Sequence, residues 1–315
     1  MRGLVAMIFA MGCFITNDTL LKIAATDFPV GEVLTLRSTF AAVLLLGLIA
    51  WKGDLRVMPL ALNKRIFARS GLDALTTFSY VIGLTVLPIA SSTTIYMAAP
   101  LITTALSVPL LGEKVGTKRW CAIVVGFAGA ILVTRPDPST FNAMAILPLL
   151  AAFFGSVRDL VTRGISPVVP GSVVAFASAV LLGLVGLTFA AWEPWTVPSP
   201  KLLALVFGAG AAFAVGNLLL IYAFRTAPVA AISPLRYVLV PGALFSGMVI
   251  FGDIPDAWAN AGTILVVGAG LYSIQNEARR GQAERRAARA EADTQHAYAG
   301  GAPLAGAVTR APPND

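Results

Sequence analysis

Ten apolar runs, each close to the length needed to cross a bilayer, constrain this chain more than any other feature. They fall at residues 3–22, 32–51, 68–87, 89–111, 118–134, 143–163, 171–191, 202–225, 229–251 and 259–275. A spanning helix needs about 20 apolar residues, and inside lipid only helices and closed barrels satisfy their own backbone. The breaks between the runs have physical causes. Lys52 to Arg56 is charged, Arg135-Pro136-Asp137-Pro138 cannot continue a helix, and Glu193 to Pro200 carries prolines beside the interfacial Trp192 and Trp195. Only 12% of the 315 residues are charged, against about 25% in an ordinary globular domain. The reading is an all-α integral membrane protein of ten transmembrane helices.

The residue inventory excludes several kinds of chemistry. Cysteine occurs only at Cys13 and Cys121, both inside apolar runs, and the single histidine is His296 in the polar tail. Neither a metal cluster nor a Ser/His/Asp arrangement can be built from these, so no catalytic residue, metal or cofactor is expected. The net charge of +7 is better explained by topology than by a nucleic-acid partner. Assigned to alternate sides of ten spans, 17 of the 23 Lys and Arg lie on the side of the N-terminus. The other side has three (Lys22, Arg135 and Lys201), and Arg37, Arg158 and Arg236 lie within spans. By the positive-inside rule both termini are cytoplasmic. Arg2 ahead of the run from Leu4 to Ile15 has the look of a secretion signal, but the repeat described next uses this segment, so its retention is expected.

Sliding the chain against itself by about 140 residues aligns an ordered series. Asp18 and Lys22 fall on Asp159 and Arg163, Pro88 on Pro228, Tyr96 and Pro100 on Tyr237 and Pro241, Gly112-Glu113 on Gly252-Asp253, and Trp120 on Trp258. Each repeat then holds five helices. Five is odd, so the second copy enters the membrane inverted, as in many secondary transporters. The expected organisation is a first repeat at 1–137, a second at 138–276 and a basic, largely disordered cytoplasmic tail at 277–315.

Several segments give the chain a resemblance to the drug/metabolite transporter superfamily, in its ten-helix EamA-type branch. They are Arg37-Ser-Thr-Phe in helix 2, Leu-Leu-Gly-Glu113 after helix 4, and the fifth helix with Gly126 and Gly129. Arg158-Asp159-Leu-Val-Thr-Arg163, Pro234-Leu-Arg-Tyr237 and Gly252-Asp-Ile-Pro-Asp256-Ala-Trp258 resemble a bacterial subgroup that includes importers of riboflavin and S-adenosylmethionine. The resemblance covers residues 3–275. It implies a transporter, not an enzyme, in the bacterial cytoplasmic membrane, with a small organic substrate, the lipid bilayer and a monomer as the expected unit. Export of amino acids or related metabolites is the alternative, since other branches do that. It also implies a structural or gating role for Arg37.

An ionisable group at membrane depth is costly and marks function. Asp18 with Lys22, and Asp159 with Arg163, stand at i and i+4 with the acid first, the favourable order for a helix-surface pair. These four, with Arg158, are the candidates for ion pairing or for coupling to a proton. Arg236 has no acid within four residues on its helix, so it needs a carboxylate from another helix, Asp18 or Asp159, or from a substrate anion. Polar stripes containing Asp73, Thr77 and Tyr80, then Ser92 and Tyr96, then Ser233 and Tyr237, read as the lining of one substrate cavity, with Asn217 and Tyr222 as weaker members. Pro100 and Pro241 free backbone carbonyls at symmetry-related positions, which makes helices 4 and 9 the expected gates.

Overall fold

The computed structural model describes residues 2–25, 27–86, 95–113, 115–134, 143–190, 192–251, 256–272, 274–276 and 279. The chain divides into two compact units, Met1–Ile274 and Gln275–Asp315. Ser92, Lys114, Pro88, Gly252, Asp253 and nearly all of the expected tail lie outside the described residues.

The described chain is helical, with no strand among the described residues. The segments are α1 (Arg2–Ala25), α2 (Val30–Trp51), α3 (Lys64–Val86), α4 (Ala99–Leu111), α5 (Thr117–Thr134), α6 (Ile146–Arg163), α7 (Gly171–Ala190) and α8 (Pro200–Thr226). They are followed by α9 (Val229–Ile250) and α10 (Ala257–Asn276). Among the described residues six helices (α1, α2, α7, α8, α9 and α10) are long and apolar enough to cross a membrane. Their outer faces are apolar as well: Phe9, Val43, Leu184, Val215 and Ile264 are all exposed. In water such a surface would aggregate; against lipid it costs nothing. Helices α3 and α6 are less apolar because they carry Arg69, Asp73, Arg158 and Asp159, all of which are buried.

Local sequence sets the ends. Gly53 leaves α2 with φ of +75°, and a 3-10 stretch at Asp54–Leu62 lies against α7. Ser199 caps α8 by accepting from the Leu202 N–H at 3.1 Å, with Pro200 in the first turn where a missing N–H is harmless. Helix α3 begins at Lys64, four residues before the apolar run, so Arg69, counted with the basic residues on the N-terminal side, lies more than a turn inside the helix.

Three helix pairs form the centre: α1 with α8, α2 with α7, and α3 with α6. Small residues let them close. A Cβ on Gly216 would lie 3.0 Å from the Cys13 Cβ, and one on Gly186 would lie 2.6 Å from Thr35 Oγ1. At Gly210 the obstacle is backbone, with the Arg37 carbonyl 2.7 Å from the added atom. Gly210→Ala should therefore destabilise the α2–α8 contact by about 1–3 kcal/mol, the usual cost of overpacking. Gly12→Ala, which meets nothing within 4 Å, should be silent. Thermal melting of the two variants in detergent separates them.

Candidate functional site

A chain of alternating charges runs through the interior. Arg69 and Asp73 stand one turn apart on α3, with Nη1 of the arginine 3.6 Å from Asp73 Oδ2. Asp73 Oδ1 accepts from Arg158 Nη1 at 2.5 Å, and Arg158 also grips Asp159 Oδ1 through Nε (2.9 Å) and Nη2 (2.8 Å). The second oxygen of Asp159 accepts from Arg236 Nη1 at 2.5 Å. No member is more than 8% exposed. Arg69 extends the chain sideways: Nε donates to Thr162 Oγ1 at 3.2 Å, Nη2 to Asn217 Oδ1 at 2.7 Å, and Nη1 to Ser178 Oγ. Five helices are thereby tied together: α3, α6, α7, α8 and α9. Desolvating charged groups costs several kcal/mol each unless geometry and hydrogen bonds compensate, and here nearly every donor is used.

The pairing differs from the helix-surface expectation. Asp159 does not pair with Arg163. Its partners are the adjacent Arg158 and, across to another helix, Arg236. A short carboxylate in the core is reached more readily by its buried neighbour and by a long arginine from a facing helix than by a residue one turn along its own helix at the rim. Arg163 instead forms a 2.9 Å ion pair with Glu113 and donates to the Ala227 carbonyl at 2.8 Å.

A second polar group surrounds Asp18. Asn17 donates to Asp18 Oδ1 at 2.8 Å and accepts from Arg37 Nη1 at 3.3 Å. Arg37 also donates to Ser38 Oγ at 3.4 Å, and its guanidinium carbon lies 4.4 Å from the centre of the Phe213 ring, within cation–π range. Glu32 is not its partner; that carboxylate accepts from the N–H and hydroxyl of Thr196, both at 3.0 Å. Asp18 and Lys22 are both exposed, whereas Asp73 and Asp159 are buried.

The aromatic candidates separate into two kinds. Tyr80 and Tyr96 remain half-buried with ring centres 5.0 Å apart, next to Gly155, whose missing side chain leaves the Tyr96 hydroxyl room. Tyr237 is not on a cavity wall: it is fully buried among Met97, Ile123, Ala130, Val240 and Val266. Its ring fills the space left by Gly126, where a Cβ would lie 2.5 Å from the ring. Ser233 is likewise buried, its hydroxyl returned to the Val229 carbonyl at 2.8 Å, and Asn217 is an internal acceptor for Arg69. Tyr222 faces outward at 42% exposure.

The two prolines expected at the gates sit at helix irregularities. Pro100 is in the first turn of α4. Helix α9 is one α-turn at Val229–Ile232, a 3-10 stretch at Ser233–Val238, an α segment at Leu239–Ser246 containing Pro241, and a π segment at Gly247–Phe251. Arg236 therefore projects from an irregular stretch. The start of α9 is held by Glu113, whose carboxylate accepts from the Val229 and Ala230 N–H groups at 3.1 and 3.3 Å. Gly112, left-handed at φ of +66°, ends α4 and turns Glu113 toward them, which gives Leu-Leu-Gly-Glu113 a physical role.

Arg69, Asn17 and Ser178 were not singled out in the sequence. For Arg69 the signal was available: Asp73 follows it at i+4 on a helix face.

Residues 1–135 match the sequence model of the EamA-like transporter family. The chain is a transporter of small metabolites and not an enzyme. Similarity to other proteins extends beyond that segment. An S-adenosylmethionine uptake transporter of Rickettsia prowazekii (strain Madrid E) is 29% identical over 266 residues, 83% of this chain and 88% of that protein. A riboflavin transporter of Rhizobium johnstonii is 29% identical over 216 residues, 69% and 72% of the two chains. The pseudopaline exporter CntI of Pseudomonas aeruginosa is 23% identical over 276 residues, 85% and 94%. A solved crystal structure with 17% identity superposes on this protein with a TM-score of 0.76, covering 88% of this chain and 98% of that one, so the two share a fold.

Proposed function

We propose that this protein moves an S-adenosylmethionine-like compound, with a riboflavin-like compound as the second choice, across the bacterial cytoplasmic membrane by alternating access. In this reading it spans ten times as two inverted five-helix repeats, with both termini cytoplasmic. The buried Arg/Asp chain converging on the irregular helix α9 carries the mechanism. A charge lock on a broken helix has two discrete arrangements, closed and released, which is what a gate needs. The helix pairing supports the inverted repeat. If each helix of the first half exchanges with the helix five places later, α1–α8 exchanges with α6–α3, and α2–α7 exchanges with itself.

Substrate preference rests on the relatives: the S-adenosylmethionine proteins align over a larger share of this chain than the riboflavin proteins do. Uptake into proteoliposomes tests it. Saturable entry of labelled S-adenosylmethionine, accelerated by the same compound inside, is the expected result; no entry of it alongside entry of riboflavin selects the second choice. The exporter relative supports outward transport as the alternative, which counterflow in cells would reveal as protection against a toxic substrate analogue.

Asp18 is the carboxylate best placed for proton coupling, because it lies exposed on α1 while Asp73 and Asp159 are enclosed. Asp18→Asn should leave substrate exchange within about twofold of the parent and abolish acceleration by a proton gradient. Unchanged acceleration in that variant would remove Asp18 from the coupling step.

A further inference from the structure

The buried charge chain holds three arginines and two aspartates, so it carries one cation too many for a dry interior. The three arginines are not equally committed. Arg69 is held by Thr162, Ser178 and Asn217 as well as Asp73. Arg158 has two carboxylates and keeps Asp73 if Asp159 leaves. Arg236 meets the chain through Asp159 alone, and it sits on the 3-10 stretch of the gating helix. The one bond whose exchange would release α9 is therefore the bond between Asp159 and Arg236.

We propose that a carboxylate on the transported molecule is the key to this lock. It takes the place of Asp159 on Arg236, returns Asp159 wholly to Arg158, and supplies the negative charge that the cluster lacks. The loaded cluster is then neutral, with two bidentate Arg–carboxylate arrangements available in place of one shared aspartate. The half-buried Tyr80 and Tyr96, close to Arg158 at Gly155, lie where a planar portion of the same molecule can stack. The inference rests on the transport reading above and narrows its substrate to molecules with a free carboxylate.

Two measurements test it. In wild-type proteoliposomes, S-adenosylmethionine should enter at least tenfold faster than its decarboxylated form, which keeps the adenosine, sulfonium and amine. Comparable entry of the two overturns the carboxylate key and leaves the transport reading standing. The second measurement needs no substrate. Ala227, buried where α8 turns into α9 and covered by Gly3, becomes a reporter as Ala227→Cys in a background with Cys13→Ser and Cys121→Ser. Adding Asp159→Ala should raise its labelling by an impermeant maleimide severalfold in chloride, with no further rise in acetate, whereas with Asp159 intact acetate should raise labelling severalfold over chloride by displacing Asp159 from Arg236. Equal labelling in acetate and chloride with Asp159 intact overturns the proposal, even if S-adenosylmethionine itself is not carried and the substrate choice fails separately.

Discussion

Arg158→Leu is expected to give the largest loss of any single substitution in this protein. It strips the central cation from between Asp73 and Asp159 and leaves both carboxylates buried, one with Arg69 at 3.6 Å and the other with Arg236 alone. Breaking a buried pair by removing one partner costs about 3–5 kcal/mol, because the remaining charge stays desolvated. At about 1.4 kcal/mol per tenfold change, the ratio of folded to unfolded protein should fall at least a hundredfold. The measurement is the yield of monodisperse protein after detergent extraction, with the melting temperature of whatever survives. Arg158→Lys should recover only part of the loss, since an ammonium cannot hold Asp159 through two nitrogens while reaching Asp73. A near-normal melt for Arg158→Leu would mean that the chain contributes little to the fold.

Glu113→Ala should have the second largest effect, and of another kind. The carboxylate receives two N–H groups at the start of α9 and the guanidinium of Arg163, so its removal unties α4, α6 and α9 at one point. A lost cap costs about 0.5–2 kcal/mol, and a lost charge at a helix N-terminus adds up to about 2. The site is at the rim, so the protein should still fold. The energy instead biases the gate, shifting the closed state's population by tenfold or more. Maximal transport should drop about tenfold while the melting temperature moves little, and Glu113→Gln should fall between parent and alanine. A variant that melts early and transports normally per folded molecule would assign Glu113 to stability alone.

The sequence and the structure agree where the evidence is local. Apolar runs, the charged and proline-rich breaks, and the irregular helices at Pro100 and Pro241 follow from hydropathy and from proline's missing N–H. They disagree where partners come from other helices. Tyr237 was matched to Tyr96 by the repeat and read as cavity lining. Its environment is decided by Gly126 on α5, which has no side chain and therefore admits the ring. Asp159 offered Arg163 at i+4, yet the adjacent Arg158 turns onto it and the facing helix α9 brings Arg236, about which helix-surface spacing carries no information. Arg69, the second residue of its apolar run, was counted with the basic residues flanking the spans, and the earlier start of α3 places it well inside the helix. Moving it changes the count of cations on the N-terminal side from 17 to 16 against three and leaves the predicted orientation as it was.

The surplus positive charge of the buried chain also makes the protein an electrical device. A unit charge carried across the whole membrane field is worth about 2.3 kcal/mol per 100 mV. If rearrangement of α9 carries the unliganded cluster through a third of that field, roughly 0.8 kcal/mol per 100 mV separates the two arrangements, close to a fourfold bias. Polarising the membrane thus selects where the empty carrier rests.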